Sequence, residues 1–164
     1  MRPIISSLKG PSIGVSRFLD RLLRPLYDRV AQHTTFVNGI DLIRQLENYR
    51  DRGCLCPSTQ FVTFDVADLY TMIPRDGALD VLGRFLLHNS VQGKIGNLSV
   101  DTILKLARLV LDTNYFVYDQ KYYRQIKGGA MGSPFTMTLA NVYMFAWEQS
   151  LIQSQLEQGE LYGR

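Results

Sequence analysis

The sequence predicts an α+β fold in which a small antiparallel sheet is backed by helices. Apolar residues recur at three- and four-residue steps over several segments, which is the period of an amphipathic helix. Between those segments stand short runs rich in aromatic and β-branched residues, which favour strands. The composition, 46% hydrophobic and 20% charged, is that of a globular domain.

Two helices are predicted in the first third of the chain. The first starts near Val15 and contains Pro25, which should kink or divide it because an interior proline costs about 3 kcal/mol. Asn38 stands where a side chain can cap a second helix. The two apolar stripes consist of Val15, Phe18, Leu19, Leu22, Leu23, Leu26 and Val30, and of Ile40, Ile43, Leu46 and Tyr49.

The middle of the chain predicts one strand and two helices. Residues 61–66 have the pattern of a buried strand, since the run is short and rich in β-forming side chains. A helix is predicted at residues 75–88, and a second helix follows Ser99, which can cap it. Residues 93–97, between these helices, are a predicted loop.

The last third predicts a β-hairpin and a long helix. Residues 115–118 and 121–125 flank Asp119-Gln120, which is a hairpin pattern. The hairpin and the preceding strand together make the predicted sheet. A glycine-rich loop at residues 127–132 then leads into a helix at about residues 133–155.

Asp65 is the first candidate site residue, because it stands near the end of the predicted strand. Such a strand would deliver a carboxylate on a rigid apolar element. Taking a carboxylate out of water is costly unless it meets a cation or strong donors. Two interpretations are equally supported by these residues alone. Asp65 either binds a metal ion or caps the turn at residues 67–69.

The glycine-rich loop is the second candidate site. Three glycines in five residues let the backbone approach a ligand closely, and Ser133-Pro134 is a favoured helix start. The free amides of a helix N-terminus suit phosphate or the polar edge of a nucleotide. The alternative is an ordinary glycine-rich turn before a capped helix, which explains the helix start but not the density of glycine.

The segment Asp65-Val66-Ala67-Asp68-Leu69-Tyr70 resembles the first catalytic segment of reverse transcriptases. The resemblance implies that Asp65 is the catalytic residue and binds metal together with the Val66 backbone carbonyl. It also implies that Asp68 and Leu69 flank the incoming triphosphate. Tyr70 would lie under the sugar and exclude a 2′-hydroxyl.

Residues 125–134, with Leu139-Ala140-Asn141 on the helix behind them, are similar to the second catalytic segment of reverse transcriptases. The closest subgroup in motif is the Penelope-like retroelements. In that family the loop packs on the template base and the incoming nucleotide. The resemblance assigns this role to Gly128, Gly129, Ala130, Met131, Gly132, Ser133 and Pro134.

The N-terminus extends the resemblance over nearly the whole chain. Arg2-Pro3-Ile4 is similar to the fingers strand whose arginine contacts the triphosphate, so Arg2 is a predicted nucleotide-binding residue. Residues 1–164 would then be a partial reverse transcriptase domain. Residues 1–52 would be a fingers remnant with its helices, and residues 53–164 would be part of the palm.

The activity implied by the family is template-directed DNA synthesis from deoxynucleoside triphosphates (dNTPs), on an RNA template with a DNA primer. The implied cofactor is a pair of Mg²⁺ ions, for which Mn²⁺ can substitute. The sequence contains no Asp-Asp pair, and the family's second catalytic carboxylates form one. We therefore expect this chain not to polymerise alone. One alternative is a catalytically inactive retroelement remnant that at most binds nucleic acid, and another is an unrelated helical interaction domain.

Charge and hydropathy add weaker expectations. Residues 1–52 carry nine Lys/Arg against five Asp/Glu, an excess that permits a nucleic-acid partner. No apolar run approaches the roughly 20 residues of a membrane span, and no signal peptide is evident. We expect an intracellular protein, in cytoplasm or nucleus, without membrane association. Glu148 is expected on a solvated helix face. The tyrosines of the hairpin could stack on bases, but packing is the expectation.

Overall fold

The computed structural model describes residues 10–164, and the predicted nucleotide-binding residue Arg2 lies outside them. The described part of the chain is α+β, as the sequence predicts, with six helices, one short 3₁₀ turn and two β-hairpins. In chain order the elements are α1 (Ile13–Ala31), the 3₁₀ turn (Gln32–Thr34), α2 (Gly39–Asp51), α3 (Leu69–Met72), α4 (Arg75–His88), β1 (Lys94–Ile95), β2 (Leu98–Ser99), α5 (Val100–Asp112), β3 (Tyr115–Tyr118), β4 (Lys121–Arg124) and α6 (Pro134–Gln158).

Helices α1, α4, α5 and α6 pack around one hydrophobic core. Leu79, Leu82 and Leu86 of α4 and Ile103, Val110 and Leu111 of α5 face this core. Leu19, Leu23 and Leu26 of α1 do so as well. Phe18 of the predicted α1 stripe stays exposed. The side chains with the largest fully buried volume are Phe135, Leu19, Leu23, Leu82, Leu86, Ile103, Leu111 and Leu139.

Helix α1 runs through Pro25 as one element, so the proline does not divide it, the second of the two outcomes predicted. Proline has no N–H, which leaves the carbonyl of Arg21 without its usual helical partner. Pro25 and Arg21 are both exposed, so water can bond that carbonyl. The buried face of the helix then keeps its backbone bonds.

The two predicted helix caps are confirmed. Asn38 Oδ1 accepts a hydrogen bond from the Asp41 amide at 3.0 Å, and Ser99 Oγ accepts one from the Thr102 amide at 3.2 Å. The apolar stripe of α2 is buried only in part: Tyr49 is buried and Leu46 half-buried, whereas Ile40 and Ile43 are exposed. Sequence periodicity identifies an amphipathic helix without showing whether another element covers it.

The predicted strand at residues 61–66 does not form. These residues have no regular secondary structure, and Phe61, Val62 and Phe64 are 60–75% exposed rather than buried. The single sheet predicted from this strand and the hairpin is therefore wrong. Within residues 10–164 the strands form two separate antiparallel pairs, β1–β2 and β3–β4, and β1 lies in the predicted loop. A strand requires a partner backbone as well as β-forming side chains.

The β3–β4 hairpin forms in the predicted place. Tyr118 pairs with Lys121 across a two-residue turn, and Asp119 and Gln120 both have positive φ, as a type I′ turn requires. Tyr123 packs on Phe116, with ring centroids 5.4 Å apart, but all four hairpin tyrosines remain exposed. They are Tyr115, Tyr118, Tyr122 and Tyr123.

Helix α6 is the longest element and crosses the core. It begins at Pro134, the favoured first helical residue, and ends before Gly159, whose φ of 70° gives a left-handed C-terminal cap. The predicted helix at about residues 133–155 is thus confirmed and extends slightly further. In the part of the chain that is described, no helix combines the length and hydropathy needed to span a membrane.

Substituting two neighbouring leucines of α4 tests which face of this helix packs against the core. Leu86 is 0% exposed and Leu87 is 61% exposed. We expect Leu86→Ala to lower the free energy of unfolding by about 2–5 kcal/mol, because it removes buried surface and leaves a cavity. Leu87→Ala should change it by less than about 0.5 kcal/mol. Urea unfolding followed by circular dichroism measures both; equal losses would contradict the assignment of this helix face.

Candidate functional site

The first candidate segment lines an open cavity of about 550 Å³, here called the acidic cleft. Four carboxylates and one guanidinium contribute to its wall, which gives a net formal charge of −3. The cleft is lined by Tyr27, Asp28, Thr35, Phe64, Asp65, Val66, Asp68, Leu69, Tyr70, Met131, Asn141, Met144, Glu148 and Arg164. Asp65, Val66, Asp68, Leu69 and Tyr70, all predicted site residues, are thus brought to one cavity together with Met131 of the glycine loop.

Asp65 is exposed and stands on irregular chain, not on a strand. The turn that follows is built on Asp68, which has a φ of 57° and precedes α3. The Asp68 carbonyl accepts hydrogen bonds from the amides of Thr71 at 3.0 Å and Met72 at 2.9 Å. Aspartate tolerates left-handed backbone better than most residues. Asp68, rather than Asp65, occupies the N-cap position of α3.

The glycine loop packs directly on the backbone of the first candidate segment. The Gly129 amide donates a hydrogen bond to the Tyr70 carbonyl at 2.8 Å. Gly128 has a φ of 58°, and a Cβ added there would lie 2.3 Å from the Tyr70 carbonyl oxygen and 2.5 Å from that of Thr71. No side chain fits in that space. The two candidate segments, far apart in sequence, are therefore joined through their backbones.

The density of glycine thus has a reason within the protein. A Cβ on Gly129 would lie 2.6 Å from the Thr136 side chain, so this glycine is needed where the loop meets α6. Gly128, Gly129 and Ala130 are buried, whereas Met131 is exposed and reaches the acidic cleft. Of the seven loop residues predicted to contact template and nucleotide, Met131 is the one that lines this cleft; the others are buried or half-buried.

The start of α6 does not present the free amides that the sequence suggests. Ser133 occupies the N-cap position, but its hydroxyl pairs with Ser16 Oγ of α1 at 2.8 Å. Ser16 Oγ in turn accepts the Phe135 amide at 3.1 Å, and the Thr136 amide bonds the Ser133 carbonyl. Pro134 has no amide hydrogen to offer. A phosphate site at this helix terminus is therefore not supported.

Arg75 holds the other end of the glycine loop. Its guanidinium donates to the Gly128 carbonyl at 2.7 Å and to the Gln125 carbonyl at 2.6 Å. Burial lowers the pKa of Arg75, with the Asp112 carboxylate opposing that effect. The sequence gives no local signal for this contact, because Arg75 stands about 50 residues before the loop it holds.

Glu148 is buried, so the expectation of a solvated helix face is wrong. Its Oε1 pairs with Arg164 at 3.0 Å, and burial raises the pKa of Glu148. The Arg164 guanidinium also donates to the Asn141 carbonyl at 3.1 Å and to the Tyr27 hydroxyl. The buried carboxylate is thus held in the wall of the acidic cleft. One polar residue among apolar neighbours on α6 is too weak a signal to identify this pair from the sequence.

The acidic cleft does not contain a complete metal site made of side chains. Within residues 10–164, no three His, Cys, Asp or Glu residues stand close enough together to hold an ion. The Asp65 carboxylate and the Val66 carbonyl are oxygen donors, the kind that Mg²⁺ and Mn²⁺ prefer. Mg²⁺ commonly binds one or two carboxylates and takes its remaining ligands from water and substrate phosphates. The donors present fit that mode of binding.

Comparisons of the chain with protein-family models, with curated proteins and with solved structures find no match. Only the motifs and their arrangement in the fold therefore bear on function.

A pair of glycines tests the contact between loop and segment. Gly53 has a φ of 76° and nothing within 4 Å of an added Cβ, whereas Gly128 has both positive φ and the Tyr70 carbonyl in the way. We expect Gly53→Ala to lower the free energy of unfolding by about 1 kcal/mol and Gly128→Ala by about 3 kcal/mol. Thermal and urea unfolding measure the difference. Equal losses would show that backbone conformation, and not close packing, explains Gly128.

The buried carboxylate gives a second stability test. Glu148→Ala should lower the free energy of unfolding by about 2–3 kcal/mol, since it leaves the partly buried Arg164 guanidinium without its carboxylate. The control is Glu157→Ala on the exposed face of the same helix, where the carboxylate bonds only Gln153 and little change is expected. A Glu148→Ala variant as stable as the control would contradict the inferred pairing.

Proposed function

We propose that this chain is part of a reverse transcriptase and that the acidic cleft is its nucleotide-binding side. The observation that carries the proposal is the joining of the two motif segments. The segment resembling the first catalytic motif and the loop resembling the second share one cleft and are hydrogen-bonded between Gly129 and Tyr70. A chance likeness in two separate stretches does not require that they meet in the fold.

Asp65 has the role of metal ligand in this proposal, with the Val66 carbonyl beside it. The net negative charge of the cleft favours a divalent cation. A bound Mg²⁺ would supply charge stabilisation for the attacking and leaving oxygens of nucleotidyl transfer. Asp65 would orient the ion, and the triphosphate of a dNTP would lie near Asp68 and Leu69. A second ion would need carboxylates in addition to those gathered here.

Tyr70 is the proposed sugar gate. Its side chain is half-buried and lines the cleft, while its carbonyl is fixed by the Gly129 amide. The ring also packs against the hydrophobic core, and a packed ring keeps the constant position that a steric filter requires. Met131 stands on the same cavity and is the loop side chain available to a template base or nucleotide. The partial palm of residues 53–164 is part of the same proposal.

A nucleic-acid-binding module without catalysis is the second candidate. It is favoured by the position of Asp65, which lies on an exposed segment without secondary structure. Catalytic ligands must be held to within a fraction of an ångström, and rigid elements do this better than irregular chain. In the first candidate Asp65 binds the catalytic metal ion. In the second candidate it contributes only negative charge to the surface.

The test uses an enzyme completed with a second carboxylate pair and a thumb, assayed by primer extension on an RNA template with Mg²⁺ or Mn²⁺. Asp65→Asn should abolish extension, because a neutral amide cannot replace the metal-binding carboxylate. Tyr70→Ala should raise the ratio of ribonucleotide to deoxynucleotide incorporation by tenfold or more, on the order of 1.4 kcal/mol of lost discrimination. Asp101→Asn, an exposed carboxylate outside the cleft, is the control.

The outcomes separate the two candidates. Extension that survives Asp65→Asn at the control level would reject the catalytic assignment and leave the binding module. An unchanged sugar ratio in Tyr70→Ala would reject the gate while leaving the metal site. The 164-residue chain by itself is expected to give no template-dependent product, and extension above an Asp65→Asn background would contradict that expectation.

A further inference from the structure

A second open cavity, of about 530 Å³, is formed by residues that the proposed reaction does not use; we call it the basic cleft. It shares no lining residue with the acidic cleft. Its charged residues are Arg75, Arg108, Arg124 and Lys127 against Asp76 and Asp112, a net formal charge of +2. The charge has the opposite sign to that of the acidic cleft, so the basic cleft suits an anion.

The two carboxylates of the basic cleft do not neutralise its cations. Asp76 pairs with Arg108 at 2.7 Å. Asp112 is shared, at 3.6 Å from Arg75 and 3.4 Å from Arg124, so one negative charge serves two guanidiniums. Lys127 forms no ion pair with any residue in the described range 10–164. Positive charge is therefore left for an external ligand.

Arg75 is a cation that is held in a fixed position in the basic cleft. Its side chain is 12% exposed, and two of its donors are held by the backbone carbonyls of Gln125 and Gly128. A guanidinium has five donors in a planar fork, so others remain for a phosphate oxygen. A preorganised arginine loses little side-chain entropy when an anion binds.

The β3–β4 hairpin continues the basic cleft with aromatic side chains. Arg124 of β4 lines the cleft and pairs with Tyr115 of β3, so these two residues lie on one face of the hairpin. Tyr122, two residues earlier on β4, shares that face and is 82% exposed. Two exposed tyrosines thus stand on the same surface as a cation of the cleft.

We propose that the basic cleft and this hairpin face bind single-stranded nucleic acid. Backbone phosphates would lie against Arg75, Arg124 and Lys127, and bases would stack on both Tyr122 and Tyr115. A positively charged groove beside exposed aromatic rings is the general design of single-strand binding sites. A duplex keeps its base faces stacked internally, so it could use the cations but not the tyrosines.

This site lies outside the acidic cleft, and its occupation does not depend on the proposed polymerase chemistry. The experiment therefore measures binding alone. Fluorescence anisotropy of the full chain with a labelled single-stranded RNA oligonucleotide, in EDTA and over a salt series, gives Kd and its salt dependence. Leaving out the divalent metal keeps failure of this site distinguishable from failure of the catalytic assignment, which primer extension tests.

The charge test compares two double variants that each remove two exposed positive charges. Arg124→Gln with Lys127→Gln should raise Kd by tenfold or more at low salt. It should also make the slope of log K against log salt shallower by about 1.4, since each phosphate contact to a single strand contributes about 0.7. The matched control is Arg44→Gln with Lys94→Gln, outside the basic cleft, which should leave Kd within about twofold.

The stacking test uses an exposed ring, so loss of folding is not a concern. Tyr122→Ala should raise Kd about tenfold and leave the salt slope unchanged, because stacking releases no counterions. Trp147→Ala, also an exposed aromatic, is the control and should have no effect. Circular dichroism of each variant checks that the fold is retained.

Four results would overturn the proposal. The first two are equal weakening of RNA binding by the two double variants and no effect of Tyr122→Ala. The third is that poly-glutamate displaces the labelled RNA as effectively as unlabelled RNA does. The fourth is that the protein binds inorganic pyrophosphate to saturation but does not bind RNA. Displacement of the labelled RNA by unlabelled single-stranded RNA, and much less by duplex RNA, would support it.

Discussion

The packing of the glycine loop on the Tyr70–Thr71 backbone is the constraint on which the rest of the structure depends. The Gly129 amide and the Tyr70 carbonyl form its central hydrogen bond, and Gly128 permits the approach because no Cβ fits there. Arg75, just after α3, reaches back to the Gly128 carbonyl and closes the arrangement. The start of α6 is tied to α1 through Ser16. The loop is therefore fixed from three sides before any ligand binds.

This contact also divides the surface into two clefts of opposite charge. Helix α3 passes from one to the other, since Tyr70 lines the acidic cleft and Met72 the basic cleft. The glycine loop also reaches both clefts, since Lys127 lines the basic cleft and Met131 lines the acidic cleft. The net formal charge is −3 in the acidic cleft and +2 in the basic cleft, so the first favours cations and the second favours anions. Under the two proposals, the acidic cleft would take a metal ion with its triphosphate and the basic cleft would take a nucleic-acid strand.

Local sequence patterns predicted the longer helices correctly. They failed for features that depend on a partner segment distant in sequence. The caps at Asn38 and Ser99 and the type I′ hairpin turn depend on residues close in sequence, so local chemistry predicts them. The strand at residues 61–66 has the right composition, but no strand pairs with it in the described part of the chain. Glu148 was misplaced for a related reason, since its partner Arg164 comes from another segment.

The sequence by itself determined the five longer helices, the hairpin and two motif segments, because periodicity, capping and turn chemistry act over a few residues. Only the tertiary structure decided what those segments contact. Gly128 proved to pack on the backbone of Tyr70, and Gly129 on the side chain of Thr136. The free amides expected at α6 are occupied by Ser16 and the Ser133 carbonyl. Contacts of this kind depend on which distant segments pack together, and no local pattern contains that information.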